Sequence, residues 1–94
     1  MNGGEVPDKF VLYQNYPNPF NPYSTIAFDL PEHGDVTLKI YNLLGENVAT
    51  LVDHSLPAGK YKFRWEPNGL SSGVYVYVIQ ANNFRSKRKM VLVK

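Results

Sequence analysis

The side chains able to do chemistry are few, and their spacing does not assemble a reaction centre. His33 and His54 stand in turn-like segments, and neither has a second histidine at metal-ligand spacing. Serines fall at 24, 55, 71, 72 and 86, and none lies in a G-x-S-x-G elbow. His54 and Ser55 are adjacent, so on an extended segment their side chains point to opposite faces and cannot work as base and nucleophile. Asp29, Glu32 and Asp35 flank one turn and offer the oxygen ligands calcium prefers, but no D-x-D-x-D-G loop surrounds them. The chain has no cysteine, which excludes disulfides, zinc–thiolate sites and thiol catalysis. Phosphate-cradling glycine loops are absent as well. The expectation is a non-enzymatic chain with no cofactor.

Charge and aromatic residues leave binding as the remaining chemistry. Ten basic residues against eight acidic ones give a net charge of +2. Residues 85–94, RSKRKMVLVK, hold five of the basic residues and no acidic one. The rest of the chain is therefore mildly acidic. Such a strip either meets an anionic partner or blunts an exposed edge strand against aggregation. Nucleic-acid binding would need stacking aromatics interleaved with the cations, and only Phe84 adjoins Arg85 to Lys89, so no nucleic-acid partner is expected. Tyr61, Trp65, Tyr75 and Tyr77 are the aromatics available to a polysaccharide-binding face. Tyr61 and Trp65 share a face with Phe63 opposite Lys60, Lys62, Arg64 and Glu66, which assigns that face to the core first.

The elements that position these residues read as short strands. Period-2 alternation puts Ile26, Phe28 and Leu30 on one face of a strand over 25–30, and Val36, Leu38 and Ile40 on one face of a strand over 35–41. A strand over 60–66 follows the same rule. Over 74–81 both faces are apolar, Val74, Val76 and Val78 against Tyr75, Tyr77 and Ile79, which predicts a central strand covered on both sides. Val48, Leu51 and Val52 break the alternation over 46–53 and predict a bulged or edge strand. The last strand, 85–93, places Met90 and Leu92 opposite Val91 and Val93. Turn chemistry separates them at Pro31 to Asp35, Asn42 to Gly45, Pro57 to Gly59, Pro67 to Gly73 and Asn82-Asn83. No segment shows a helical apolar stripe.

The fold class predicted is all-β, an antiparallel immunoglobulin-like sandwich of about six to seven strands. Its 94 residues and 10.7 kDa fit one domain. Residues 1–9 are expected to be a linker and 10–94 the domain. Residues 1–9 contain no apolar signal segment, and no apolar run approaches the ~20 residues that span a bilayer, so no membrane insertion is expected. The odd segment is Gln14-Asn15-Tyr16-Pro17-Asn18-Pro19-Phe20-Asn21-Pro22. Its prolines deny it a place in a central strand or a helix. Asn15, Asn18 and Asn21 recur every third residue, which on a polyproline-II path lines them along one side. These asparagines are expected to cap their own backbone, and Tyr16 and Phe20 to plug one end of the sandwich; a docking ligand for an aromatic groove is the other reading.

Tyr16-Pro17-Asn18-Pro19-Phe20-Asn21-Pro22, then Ser24-Thr25-Ile26 and Phe28-Asp29-Leu30-Pro31, resembles the opening of the type A C-terminal sorting domain of the type IX secretion system. It is also similar to the immunoglobulin-like domain of flagellar hook-capping proteins. The match continues through Val36-Thr37-Leu38-Lys39-Ile40-Tyr41-Asn42, Gly45, Val48, Leu51, Ala58-Gly59-Lys60-Tyr61, Trp65 and Ser72-Gly73-Val74-Tyr75. It closes on Lys87-Arg88-Lys89-Met90-Val91-Leu92-Val93-Lys94. Tyr23 and the run Glu66-Pro67-Asn68-Gly69 depart from the family pattern, both in loops.

The resemblance implies an address label on a larger secreted protein. Such a domain is recognised by outer-membrane secretion machinery after its cargo has crossed the inner membrane, and a sortase-like peptidase then removes it in many cases. The implied destination is the cell surface or the medium, and the implied state is a monomer or weak dimer. The residues expected to be read by the machinery are Gly73, Val74 and Tyr75, where the chain enters the central strand, with Lys87, Arg88 and Lys89 presenting charge and Met90, Val91, Leu92, Val93 and Lys94 seating the last strand. Two alternatives carry different functions, a polysaccharide-binding accessory sandwich and a hook-capping-like assembly module.

Overall fold

The structure, a computed structural model, describes residues 6–94. Residues 1–5 of the expected linker lie outside the described residues. Seven strands run in order: β1 (Val11–Leu12), β2 (Ser24–Leu30), β3 (Gly34–Tyr41), β4 (Asn47–Leu56), β5 (Gly59–Trp65), β6 (Gly73–Ala81) and β7 (Phe84–Leu92). They form a three-stranded sheet, β1-β2-β5, and a four-stranded sheet, β4-β3-β6-β7, antiparallel throughout. The chain passes between sheets after β2, β4 and β5, so each sheet contains one pairing of strands distant in sequence, β2 with β5 and β3 with β6. This is the all-β sandwich that the alternation predicts, with no helix among the described residues.

Period-2 side-chain placement explains the core. Ile26, Phe28 and Leu30 of β2 and Val36, Leu38 and Ile40 of β3 are buried, and they meet Tyr75, Tyr77, Ile79 and Ala81 of β6 and Met90 and Leu92 of β7. On β5 the charged residues Lys60, Lys62 and Arg64 face water, while Trp65 is buried and Tyr61 and Phe63 are half-buried, each stacked on Phe28. The irregular strand is bulged. Register slips between Leu38 and Lys39 leave Leu51 without a partner, and a second slip between Ile40 and Tyr41 leaves out Val48. β4 is also one of the sheet's two edges.

Strand β6 departs from its expected coverage. It is central, between β3 and β7, but only its Tyr75–Tyr77–Ile79 face is buried; Val74, Val76 and Val78 are half-exposed. A second sheet covers the four-stranded sheet on one face only. The outer valines are instead flanked by long side chains, since Val76 pairs with Lys89 and Tyr41, and Val78 with Lys87 and Lys39.

Candidate recognition surface

The last strand is held from both sides. On one side β6 pairs with it residue for residue, from Gly73 opposite Leu92 to Ala81 opposite Phe84. In an antiparallel pair alternate residues turn their backbone groups away from the partner strand, and on β7 the outward set is Arg85, Lys87, Lys89 and Val91. The proline-rich segment captures the upper part of this outward edge. The Phe20 N–H donates to the Val91 carbonyl at 2.9 Å, and the Val93 N–H donates to the Phe20 carbonyl at 3.0 Å. Phe20 thereby makes a parallel bridge to Leu92. The Val91 N–H donates to Asn18 Oδ1 at 2.9 Å, and the Gln14 side-chain amide donates to the Lys89 carbonyl at 2.6 Å. The Lys94 N–H ends the series on Ser72 Oγ at 2.9 Å.

The proline segment is itself anchored by a buried polar set. Asn15 is buried; its side-chain amide donates to Ser24 Oγ at 2.8 Å and to the Pro17 carbonyl at 3.2 Å, and the fully buried Ser24 hydroxyl donates to the same carbonyl at 2.9 Å. Tyr77 reaches this set from the core of β6. Its hydroxyl accepts from the Asn15 N–H and donates to the Tyr13 carbonyl, both at 2.7 Å. Burial pushes the Tyr77 phenol up to about 12, against a smaller opposing effect of the Asn15 N–H. Phe20 fills the end of the core beside Trp65, with ring centroids 5.9 Å apart.

This arrangement revises part of what the segment's sequence predicts. Phe20 plugs the sandwich as expected, whereas Tyr16 is 80% exposed and contributes its backbone, in a bridge to Thr25. The three asparagines do not line one side: Asn15 turns inward to Ser24, Asn18 turns to β7, and Asn21 is exposed. The bonds preceding Pro17, Pro19 and Pro22 are cis.

The basic strip is split by strand geometry. Lys87 and Lys89 lie on the outer face with Val76 and Val78, while Arg88 is paired with Tyr77 on the opposite side. The Arg88 Nε donates to the Leu12 carbonyl at 2.7 Å, which ties β7 to β1 in the other sheet. Met90 and Leu92 are buried, Val91 is half-buried, and Val93 and Lys94 are exposed. Gly73 adopts φ +155°, a backbone region closed to most side chains, yet a Cβ there would meet nothing within 4 Å. Its role is backbone conformation. Tyr75 is buried, and its hydroxyl donates to the Ser71 carbonyl at 2.7 Å, holding the loop that enters β6.

The other candidates come apart. Asp29 is buried and accepts from the Tyr13 hydroxyl at 2.5 Å, with Lys60 at 3.6 Å; that hydrogen bond is the main cause that raises the Tyr13 phenol above its ordinary value. Asp35 accepts from Ser55, and Glu32 accepts from Asn82 at 2.9 Å. No group of three such ligands capable of holding a metal occurs among the described residues. Trp65, Tyr75 and Tyr77 are buried, so they form no exposed aromatic platform for a sugar.

The described residues form an antiparallel sandwich whose closing strand is clamped by its own opening segment. Residues 14–94 match the family described as secretion system C-terminal sorting domain, and the chain belongs to that family. The matched span begins at Gln14, the first residue of the clamp, and runs to Lys94. The family is a sorting signal of type IX secretion, appended to cargo that is exported to the cell surface or beyond. No curated protein matches the chain significantly.

Both halves of this site stand out in the sequence, but no spacing rule links them. Gln14, Asn18 and Phe20 belong with 89–94, and the available signal was a proline segment barred from ordinary ladders yet rich in side-chain amides that can substitute for them.

Proposed function

We propose that this domain carries its address as a folded shape: the outer secretion machinery reads the surface formed by β7, the loop leading into β6 and the segment that clamps them. The observation carrying this reading is the paired bonding of Phe20 to Val91 and Val93, which makes display of the last strand conditional on the whole sandwich being folded. Gly73, Val74 and Tyr75 set the loop at one end of the surface, Lys87 and Lys89 give it charge, Arg88 braces it, and Met90 to Lys94 seat it. A sortase-like peptidase would act ahead of the sandwich. The packing of Phe10 on Phe84, with ring centroids 4.9 Å apart, supports a folded body that starts near residue 10 and a linker before it.

The test is export of a reporter fused upstream. Deleting residues 89–94 is expected to abolish export; normal export of the truncated fusion would refute the reading. Replacing Lys87 and Lys89 by serine, with Arg88 left on the Leu12 carbonyl, separates charge from docking. That variant should stay folded, since exposed charges contribute little to stability, and should be exported less. A polysaccharide-binding role predicts retention of the domain on insoluble glycans, which the buried aromatics argue against.

A further inference from the structure

The clamp covers only part of the β7 edge. Lys89 C=O, Val91 N–H and C=O, and Val93 N–H are bonded to residues 14–20. Below them, the outward N–H and C=O of Arg85 and Lys87 and the N–H of Lys89 have no partner among the described residues. This open stretch is five residues long, or about 15 Å of extended chain. Beside it lies a shallow depression of about 400 Å³ lined by Gln14, Val76, Lys87, Arg88 and Lys89. No bulge interrupts β7, in contrast to β4 at the other edge of the same sheet.

We infer that residues 85–89 accept an extended acidic segment of a partner protein, which adds to β7 as a fifth strand of the four-stranded sheet. The inference rests on the sorting reading above and names the chemistry of its partner. Backbone groups aligned for a ladder supply affinity for any extended chain. Charge selects among the candidates. Arg85, Lys87 and Lys89 lie along one face of the strand, so an incoming strand places every second residue beside a cation. A second copy of β7 pairing antiparallel about Lys87 would put Lys87 against Lys87 and Arg85 against Lys89, which repels. The same cations that block self-association therefore favour a strand with acidic residues at alternate positions. The intervening residues of that strand face the other side of the sheet, near Ser86 and Arg88, and small apolar residues suit them.

The probe is a capped seven-residue peptide alternating glutamate and valine, titrated into the 94-residue chain and followed by backbone NMR. Binding is expected to slow hydrogen exchange at the Lys87 and Lys89 amides. The double variant K87E/K89E should weaken binding by about tenfold or more and bind an alternating lysine–valine peptide instead. Three results would overturn the inference: no binding at millimolar peptide; equal binding of a peptide with its glutamates grouped, or of an anionic polysaccharide, without amide protection; and protection of the same amides by concentration-dependent self-association. Export of the double variant Lys87→Ser with Lys89→Ser is read separately. Reduced export with no strand addition would refute only the peptide mode, whereas undiminished export would refute the recognition surface itself.

Discussion

The four-stranded sheet has two edges, and the chain treats them differently. At β4 the edge is irregular: Leu51 and Val48 are extra residues that break the register with β3 and increase its twist. Such an edge is a poor template for another strand. At β7 the register with β6 is unbroken over nine residues, and the edge remains regular. Its upper part is occupied by the chain's own proline segment and its lower part is bordered by cations. A deformed edge disfavours strand addition, while a regular edge partly covered and partly charged suits a selected partner.

Phe20→Ala should strike this contrast hardest. It removes a fully buried ring against Trp65, with an expected loss of about 3–5 kcal/mol by urea denaturation. If the clamp depends on that ring, the Val93 amide should exchange faster while β4 amides keep their relative protection. Asn15→Ala comes next. It strips partners from the buried Ser24 and the Pro17 carbonyl and should cost about 1–3 kcal/mol in the same assay. Asn18→Ala exposes the Val91 N–H to water and should cost about 1 kcal/mol or less, with local exchange at Val91 as its signature.

A pH scan gives a gentler probe. The Tyr77 phenol is raised from about 10 to about 12 in the fold, so the unfolded chain ionises first. The stability it contributes is whole below pH 10 and declines as pH rises from 10 towards 12. A Tyr77→Phe variant should lose that part of the alkaline decline. The smallest effect is expected from Lys87→Ser with Lys89→Ser, within about 0.5 kcal/mol of the parent by thermal unfolding.

The sandwich and its core were legible because one physical rule governs both: alternate residues of a strand face opposite sides, and an apolar face must be buried. That rule placed Ile26, Phe28, Leu38 and Ile40 inside, and the broken spacing at Val48 and Leu51 announced a bulge. Pattern alone overestimated β6, because two apolar faces indicate burial on both sides only when two layers are present. The all-β character of the chain, six of its seven strands, its lack of cysteine and the two motifs that mark its family were thus determined by the sequence itself, while the short β1 was not. Only tertiary structure decided that those motifs touch, that Arg88 leaves the basic strip to bind the Leu12 carbonyl, and that half of the β7 edge stays open. Phe20 and Leu92 are separated by most of the chain, and hydrogen bonds made through backbone groups leave no residue-type signature at either end.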